Sequence, residues 1–258
     1  MQLPHSLDRT ILIGAPQDVV FGFFTDDRRW SAWWGAGSTI DARPGGRVLI
    51  RYPGGVEVSG EVLDAAPPER LVFTYGFVSG TPIPPGSSRV TIRLEPVPSG
   101  TRLHLQHEFA EADPRDHHIQ GWRYQLSVFA NVVTDEIHRH ADRTVDAWFS
   151  AWAEFDDGAR TRTLSEIAVP VVRMHDRYSC VEGVEELALH IGAAQRFMPG
   201  MRLQKSGSIR HCQGTLLADW TAVGSDGQQR GSGTNVFTLA PDGRITSVIG
   251  FWSPPPSA

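Results

Sequence analysis

The sequence predicts an α+β fold, built twice over in a chain of 258 residues. Three observations predict it. Strand-like runs separated by turns fill the middle of the first half and end in one long helical pattern. The second half reverses that order, with helices first and strands last. The hydrophobic share of 40% gives both halves material for a core, and this length suits one large domain or two of ordinary size. Runs of strands segregated from runs of helices point to layered α+β units rather than an alternating parallel sheet.

Taken in order, residues 9–15 alternate apolar and polar, a strand pattern. Pro16 then opens a short helix with Val19, Val20, Phe23 and Phe24 on its apolar face. Residues 26–34 form a second short helix, stopped by Gly35. Strand runs follow at 47–52, 56–65, 71–78, 89–95 and 101–109. Pro53-Gly54-Gly55, Pro67-Pro68, the Gly80 to Gly86 loop and Pro98-Ser99-Gly100 separate them, so the middle reads as an antiparallel meander. Asp113-Pro114 starts a long helix, with Ile119, Trp122, Leu126, Phe129 and Val133 at helical spacing.

Helices are expected over 142–155 and 160–167, the first carrying the stripe Val145, Trp148, Phe149, Trp152 and Phe155. A short strand at 169–174 precedes an amphipathic helix at 183–197 with Leu187, Leu189, Ile191 and Ala194. Four strands follow at 202–211, 215–223, 233–239 and 245–252, with Asp226-Gly227 and Pro241-Asp242-Gly243 as turns. Pro254-Pro255-Pro256 predicts a stiff tail. The boundary is expected near residues 134–141, a polar helical stretch without a Gly/Ser linker, giving domains at 1–137 and 138–258.

Composition excludes several function classes. Charged residues make up 21%, the net charge is -5, and Lys and Arg are scattered, so nucleic acid is not an expected partner. Apolar runs fall far short of the roughly 20 residues of a spanning helix, so no membrane role is expected. Met1-Gln2-Leu3-Pro4-His5 lacks the pattern of a secretory signal. Cys180 and Cys212 suit neither a disulfide framework nor a zinc or redox motif, and a cytoplasmic location is expected. With no nucleophile elbow, phosphate loop, dinucleotide fingerprint or zinc motif, neither a cofactor nor a metal is expected. His117-His118 sit about 100° apart on a helix, so they do not readily share an ion, and a solvated pair is expected.

The first half resembles the START-like (SRPBCC) superfamily, in the branch related to the heat-shock-protein-90 ATPase activator. Ala15-Pro16, Trp33-Trp34-Gly35, Arg43-Pro44-Gly45-Gly46, Gly60, Pro68-Glu69-Arg70-Leu71-Val72-Phe73, Gly100-Thr101-Arg102-Leu103 and Gly121-Trp122 carry the resemblance. It implies a helix-grip domain, with a curved antiparallel sheet around the long helix and a cavity between them. The second half is similar to the SnoaL-like group of the nuclear-transport-factor-two superfamily. His175-Asp176, Gly183, His190-Ile191, Pro199-Gly200, Trp220, Asp226-Gly227, Gly233 and Asp242-Gly243-Arg244-Ile245 carry it. It implies a cone-shaped α+β barrel with a pocket at its wide end. Both superfamilies hold ligand carriers and cyclases, so fold alone does not settle function.

Candidate lining residues follow. In the first domain they are Trp33, Trp34, Arg51, Phe73, Tyr75, His107 and Trp122, with Arg51 offered to a carboxylate and the Tyr75 hydroxyl to a polar group. In the second they are Trp148, Trp152, Trp220, Phe237 and Trp252. The competing reading is that these aromatics are plain core. The catalytic candidates are His175 or Asp176 as base and Asn235 as donor to a developing enolate oxygen. A carboxylate in an apolar cup is expected to have a raised pKa. The expected function is binding of small hydrophobic or aromatic molecules. A cofactor-independent cyclase, isomerase or hydrolase, and a regulatory module that forms a homodimer through its sheet, are the alternatives.

Overall fold

The computed structural model describes residues 2–253, so the proline tail lies outside the described residues. The chain divides into two compact units, Met1–Thr134 and Asp135–Ala258.

In the first unit the elements are β1 (His5–Ile13), α1 (Gln17–Gly22), α2 (Asp27–Trp34), β2 (Thr39–Ile40), β3 (Arg47–Arg51), β4 (Glu57–Ala66), β5 (Arg70–Phe77), β6 (Ser88–Val97), β7 (Gly100–Phe109) and α3 (Ala112–Ile137). The sheet order is β1-β7-β6-β5-β4-β3-β2, antiparallel throughout. Only the pairing of β1 with β7 breaks chain order. The side chain of Asp26 caps α2 by accepting the Arg29 N–H at 2.9 Å. Gly35 ends that helix at φ +141°, where a side chain would run into the Arg51 carbonyl.

Alternation on β5 turns Leu71, Phe73 and Tyr75 inward. Trp122, Leu126, Phe129 and Val133 of α3 are likewise buried. The sheet gripping a long helix is the fold that the resemblance implied. His118 departs from expectation. It is half-buried and stacks near Tyr75, His107 and Phe109, because the helical turn that frees His117 to solvent carries its neighbour toward the sheet.

The second unit holds α4 (Ala141–Ala153), α5 (Asp157–Ile167), β8 (Ala168–His175), β9 (Cys180–Glu182), α6 (Val184–Phe197), β10 (Arg202–Cys212), β11 (Thr215–Val223), β12 (Gln229–Leu239) and β13 (Ile245–Trp252). Its sheet runs β10-β11-β12-β13-β8-β9, and β8 pairs parallel to β13. Val145, Trp148 and Phe149 of α4 and Leu187 and Ile191 of α6 share one core with Leu216, Trp220, Phe237, Ile245 and Val248 of the sheet. Two expected core residues lie outside it. Phe155 is 70% exposed because α4 ends at Ala153 and the chain turns extended at Glu154. Leu189 falls on the outer face of α6, between inward Leu187 and Ile191. Cys180 and Cys212 are free and exposed. No described helix is long and apolar enough to cross a membrane.

Candidate functional site

Alternation along β11 and β12 builds the site. Trp220 and Asn235 lie on the buried faces of their strands, and the register sets Trp220 opposite Gly233 and Asn235 opposite Gly250. The Trp220 Nε1–H donates to Asn235 Oδ1 at 3.1 Å. That contact occupies the amide oxygen, so the NH2 is the end of Asn235 left for a guest. Gly233 pairs with Trp252, and the two indoles meet edge to face at 5.0 Å and 84°.

Asp176 comes from the other side. β8 carries Met174 inward and His175 outward into solvent, and the chain leaves the strand at Asp176. Asp176 Oδ1 accepts the Tyr178 N–H at 2.8 Å and the Ser179 hydroxyl at 2.7 Å, while Oδ2 accepts the Trp252 Nε1–H at 3.1 Å. A β-carbon at position 250 would stand 3.0 Å from Asp176 Cβ and 3.4 Å from Asn235 Oδ1. Glycine there keeps the floor between the two polar side chains open.

Around this floor lies a hollow of about 70 Å³, closed by Trp152, Met174, Met198, Met201 and Leu203. A wider hollow of about 530 Å³ shares Trp152, Asp176, Met198, Met201 and Trp252 with it and reaches Tyr178 and Phe197. The wall is held from behind by Arg160, which is buried. Its guanidinium donates to the carbonyls of Ala188 (3.0 Å) and Glu154 (2.7 Å) and to Gln195 Oε1 (3.0 Å), and it pairs with Asp157. Gln195 in turn donates to the Trp152 carbonyl at 2.9 Å. A β-carbon at Gly192 would lie 2.7 Å from Arg160 Nη2, so the missing side chain gives the guanidinium its place.

The electrostatics correct one expectation. Burial pushes the Asp176 carboxyl up, but hydrogen bonds from Ser179, Trp252 and the Tyr178 backbone outweigh it and leave the pKa below the ordinary carboxylate value. Asp176 is therefore an ionised acceptor at neutral pH, and a weak base. His175 does not join it at the hollow.

The other candidates are distributed differently. Trp148 and Phe237 are fully buried, 5.6 Å apart, as core beneath the site. In the first unit Trp33, Trp34, Phe73, Tyr75, His107 and Trp122 are all buried. Their rings fill the interior against one another, with Trp33 on Trp34 at 4.2 Å and Trp34 on Trp122 at 5.6 Å. Arg51 is exposed and pairs with Glu57 at 2.9 Å. The Tyr75 hydroxyl meets that of Tyr52 at 3.1 Å.

One polar chain threads this aromatic interior. Indole nitrogen only donates, so the Trp122 Nε1–H donates a hydrogen bond to His107 Nδ1 at 2.9 Å. His107 Nε2–H then donates to Ser88 Oγ at 2.8 Å, and the Ser88 hydroxyl to the Tyr75 carbonyl at 2.7 Å. The imidazole is thus neutral, and burial, reinforced by His118, holds its pKa well below the ordinary value of 6.5. As pH falls below that value the unfolded chain takes up the proton first, so stability is complete above it and is lost on acidification. Between pH 7.5 and 5.5 His107 is expected to cost the first unit about 1 kcal/mol. Urea denaturation at the two pH values checks this, and His107→Gln should remove that part of the pH dependence.

Residues 14–134 match the family model described as Activator of Hsp90 ATPase homolog 1-like protein. No curated protein matches the chain. Among solved structures, a candidate isomerase of the SnoaL-like family from Agrobacterium tumefaciens is 27% identical, covering 46% of this chain and 99% of its own, at a TM-score of 0.42. CalU16 from Micromonospora echinospora is 28% identical, covering 52% and 79%, at 0.42. The Aha1 dimer from Colwellia psychrerythraea is 19% identical, covering 47% and 90%, also at 0.42. The first unit thus carries a helix-grip fold over a segment, residues 14–134, that matches the Activator of Hsp90 ATPase homolog 1-like family model.

Proposed function

We propose that the second unit binds a small, largely apolar or aromatic molecule in the hollow beside Asp176 and Asn235. One observation carries this reading: indoles and thioethers line a hollow whose polar side chains are only Asp176, Gln195 and Asn235. Predominantly apolar walls with a few placed polar groups are the usual make-up of a small-molecule site. The ring-on-ring packing of the first unit supports placing the guest in the second. Affinity comes mainly from apolar area removed from water, at about 25 cal/mol per Å² before ordering costs. A cytosolic homodimer is the assembly proposed with it, to be read by light scattering of the purified protein.

Ala194 lines both hollows from α6. Ala194→Trp is expected to fill them and abolish binding of a benzene-sized probe, with the circular dichroism of the fold unchanged. Unaltered binding in that variant rules out this location.

A second reading has its own observation. Asp176 and Asn235 flank the same glycine, so a carboxylate and an amide donor face one guest, the arrangement of a proton-transfer site. The hydrogen bonds that keep Asp176 ionised also weaken it as a base, which favours binding over turnover. If turnover occurs, Asp176→Asn should abolish it while a neutral guest still binds.

A further inference from the structure

Among the described residues the carboxylate of Asp176 has no cationic partner. Its neighbours are neutral donors: the Ser179 hydroxyl, the Tyr178 backbone N–H and the Trp252 indole N–H. Charged and titratable groups do stand near the hollow, but each is turned to other work. Arg230 lines the wider mouth and pairs with Asp226. Arg177 lies over the Tyr178 ring at 5.0 Å, and His190 stands edge to face on Trp152 at 6.0 Å. Among the described residues no ion pair is formed by Asp176. Three neutral donors hold the charge in place without cancelling it, so a guest beside Asp176 meets a negative field in an apolar setting.

The walls suit such a supply. Trp220 and Trp252 stand at 84° to each other, and Tyr178 meets Trp252 at the same angle, 5.3 Å away. Perpendicular aromatic planes present ring faces from more than one direction, and indole faces attract cations most strongly. Met174, Met198 and Met201 add soft, polarizable sulfur that adapts to an alkyl surface. The dimensions divide a guest in two. About 70 Å³ beside Asp176 takes a compact head, and the wider hollow of about 530 Å³ takes a body. A neutral guest gains nothing from the carboxylate's charge, and an anionic guest is repelled by it.

We infer that the guest is an organic cation: a protonated or quaternary amine whose head sits between the Asp176 carboxylate and the Trp220 and Trp252 indoles, with its apolar body in the wider hollow. This rests on the reading of the hollow as a ligand site, and the test separates the two. Benzyltrimethylammonium and its uncharged isostere neopentylbenzene are titrated by calorimetry into the full-length protein, its Asp176→Asn variant and its Ala194→Trp variant. The cation should bind the wild type about 10- to 100-fold more tightly than the isostere. That preference should vanish in Asp176→Asn, with isostere binding kept, and both probes should fail in Ala194→Trp.

Equal affinity of the wild type for both probes overturns the cation assignment and leaves the hollow as a neutral ligand site. A preference that persists in Asp176→Asn overturns the role given to that carboxylate. Binding of neither probe by the wild type removes the ligand-site reading and this inference with it. The wild-type comparison needs no variant, so a poorly folding substitution does not blunt the test.

Discussion

Replacing Arg160 with leucine is expected to destabilise the second unit by about 3–5 kcal/mol and to erase guest binding at the same time. The guanidinium is buried and satisfies the carbonyls of Ala188 and Glu154, the Gln195 amide and the Asp157 carboxylate. Leucine fills part of the space but supplies no donors, so the Ala188 carbonyl and the Gln195 amide oxygen lose the guanidinium and the Glu154 carbonyl keeps only Gln195 Nε2. Asp157 is exposed and stays solvated, so the cost comes from the polar groups inside the wall that lose a charged donor and cannot turn to water. Binding falls with stability because Gln195, released from Arg160, no longer fixes the Trp152 carbonyl and the wall that Trp152 forms. Residue-resolved hydrogen exchange on α5 and α6 checks the first effect, and calorimetry with a benzene-sized probe the second. Protection and binding both at wild-type levels in this variant contradict the account.

Trp30→Ala is expected to cost the first unit a similar amount, about 3–5 kcal/mol. Trp30 is fully buried and touches the rings of Trp33 (5.2 Å), Trp34 (5.6 Å) and Phe73 (6.0 Å). Its Nε1–H donates to the Leu49 carbonyl at 3.3 Å. The substitution removes a large ring from a cluster whose members brace one another, and leaves a cavity that short α2 cannot close by shifting. With a domain stability of the usual 5–15 kcal/mol, this is a large share of the whole. Denaturant melts followed by exchange protection on β5 and β7 measure it, and a loss under 1 kcal/mol would mean that the cluster is loosely packed.

Much of the architecture was legible because local signals agreed with the global pattern. Asp26 with Gly35 bracketed one helix, Asp113-Pro114 opened another, and Pro98-Ser99-Gly100 marked a hairpin. Two elements were not legible. β2 is two residues long and β9 three, too short to show alternation. The site was only partly legible. The resemblance named Trp220, Asn235 and Phe237 as pocket-side candidates, but it does not tell a wall from the core beneath, where Phe237 and Trp148 are fully buried. Met174, Met198, Met201 and Leu203 went unnamed, though two methionines astride Pro199-Gly200 were a visible hint of an adaptable rim. Arg160 could not be found from spacing, since an arginine in a polar helix reads as surface. The charge state of Asp176 also escaped the sequence, because its sign depends on three donors that only the folded turn and Trp252 bring together.

The stacked pair Trp33 and Trp34, 4.2 Å apart with 33° between planes, has an optical consequence. Transition dipoles that close and that fixed mix into delocalised excited states, and the chiral placement of the rings gives them a dichroic couplet that no isolated indole possesses. The helix-grip half of the chain thus contributes a couplet of its own beside that of Trp220 and Trp252 in the other half, and its share dims when that half melts.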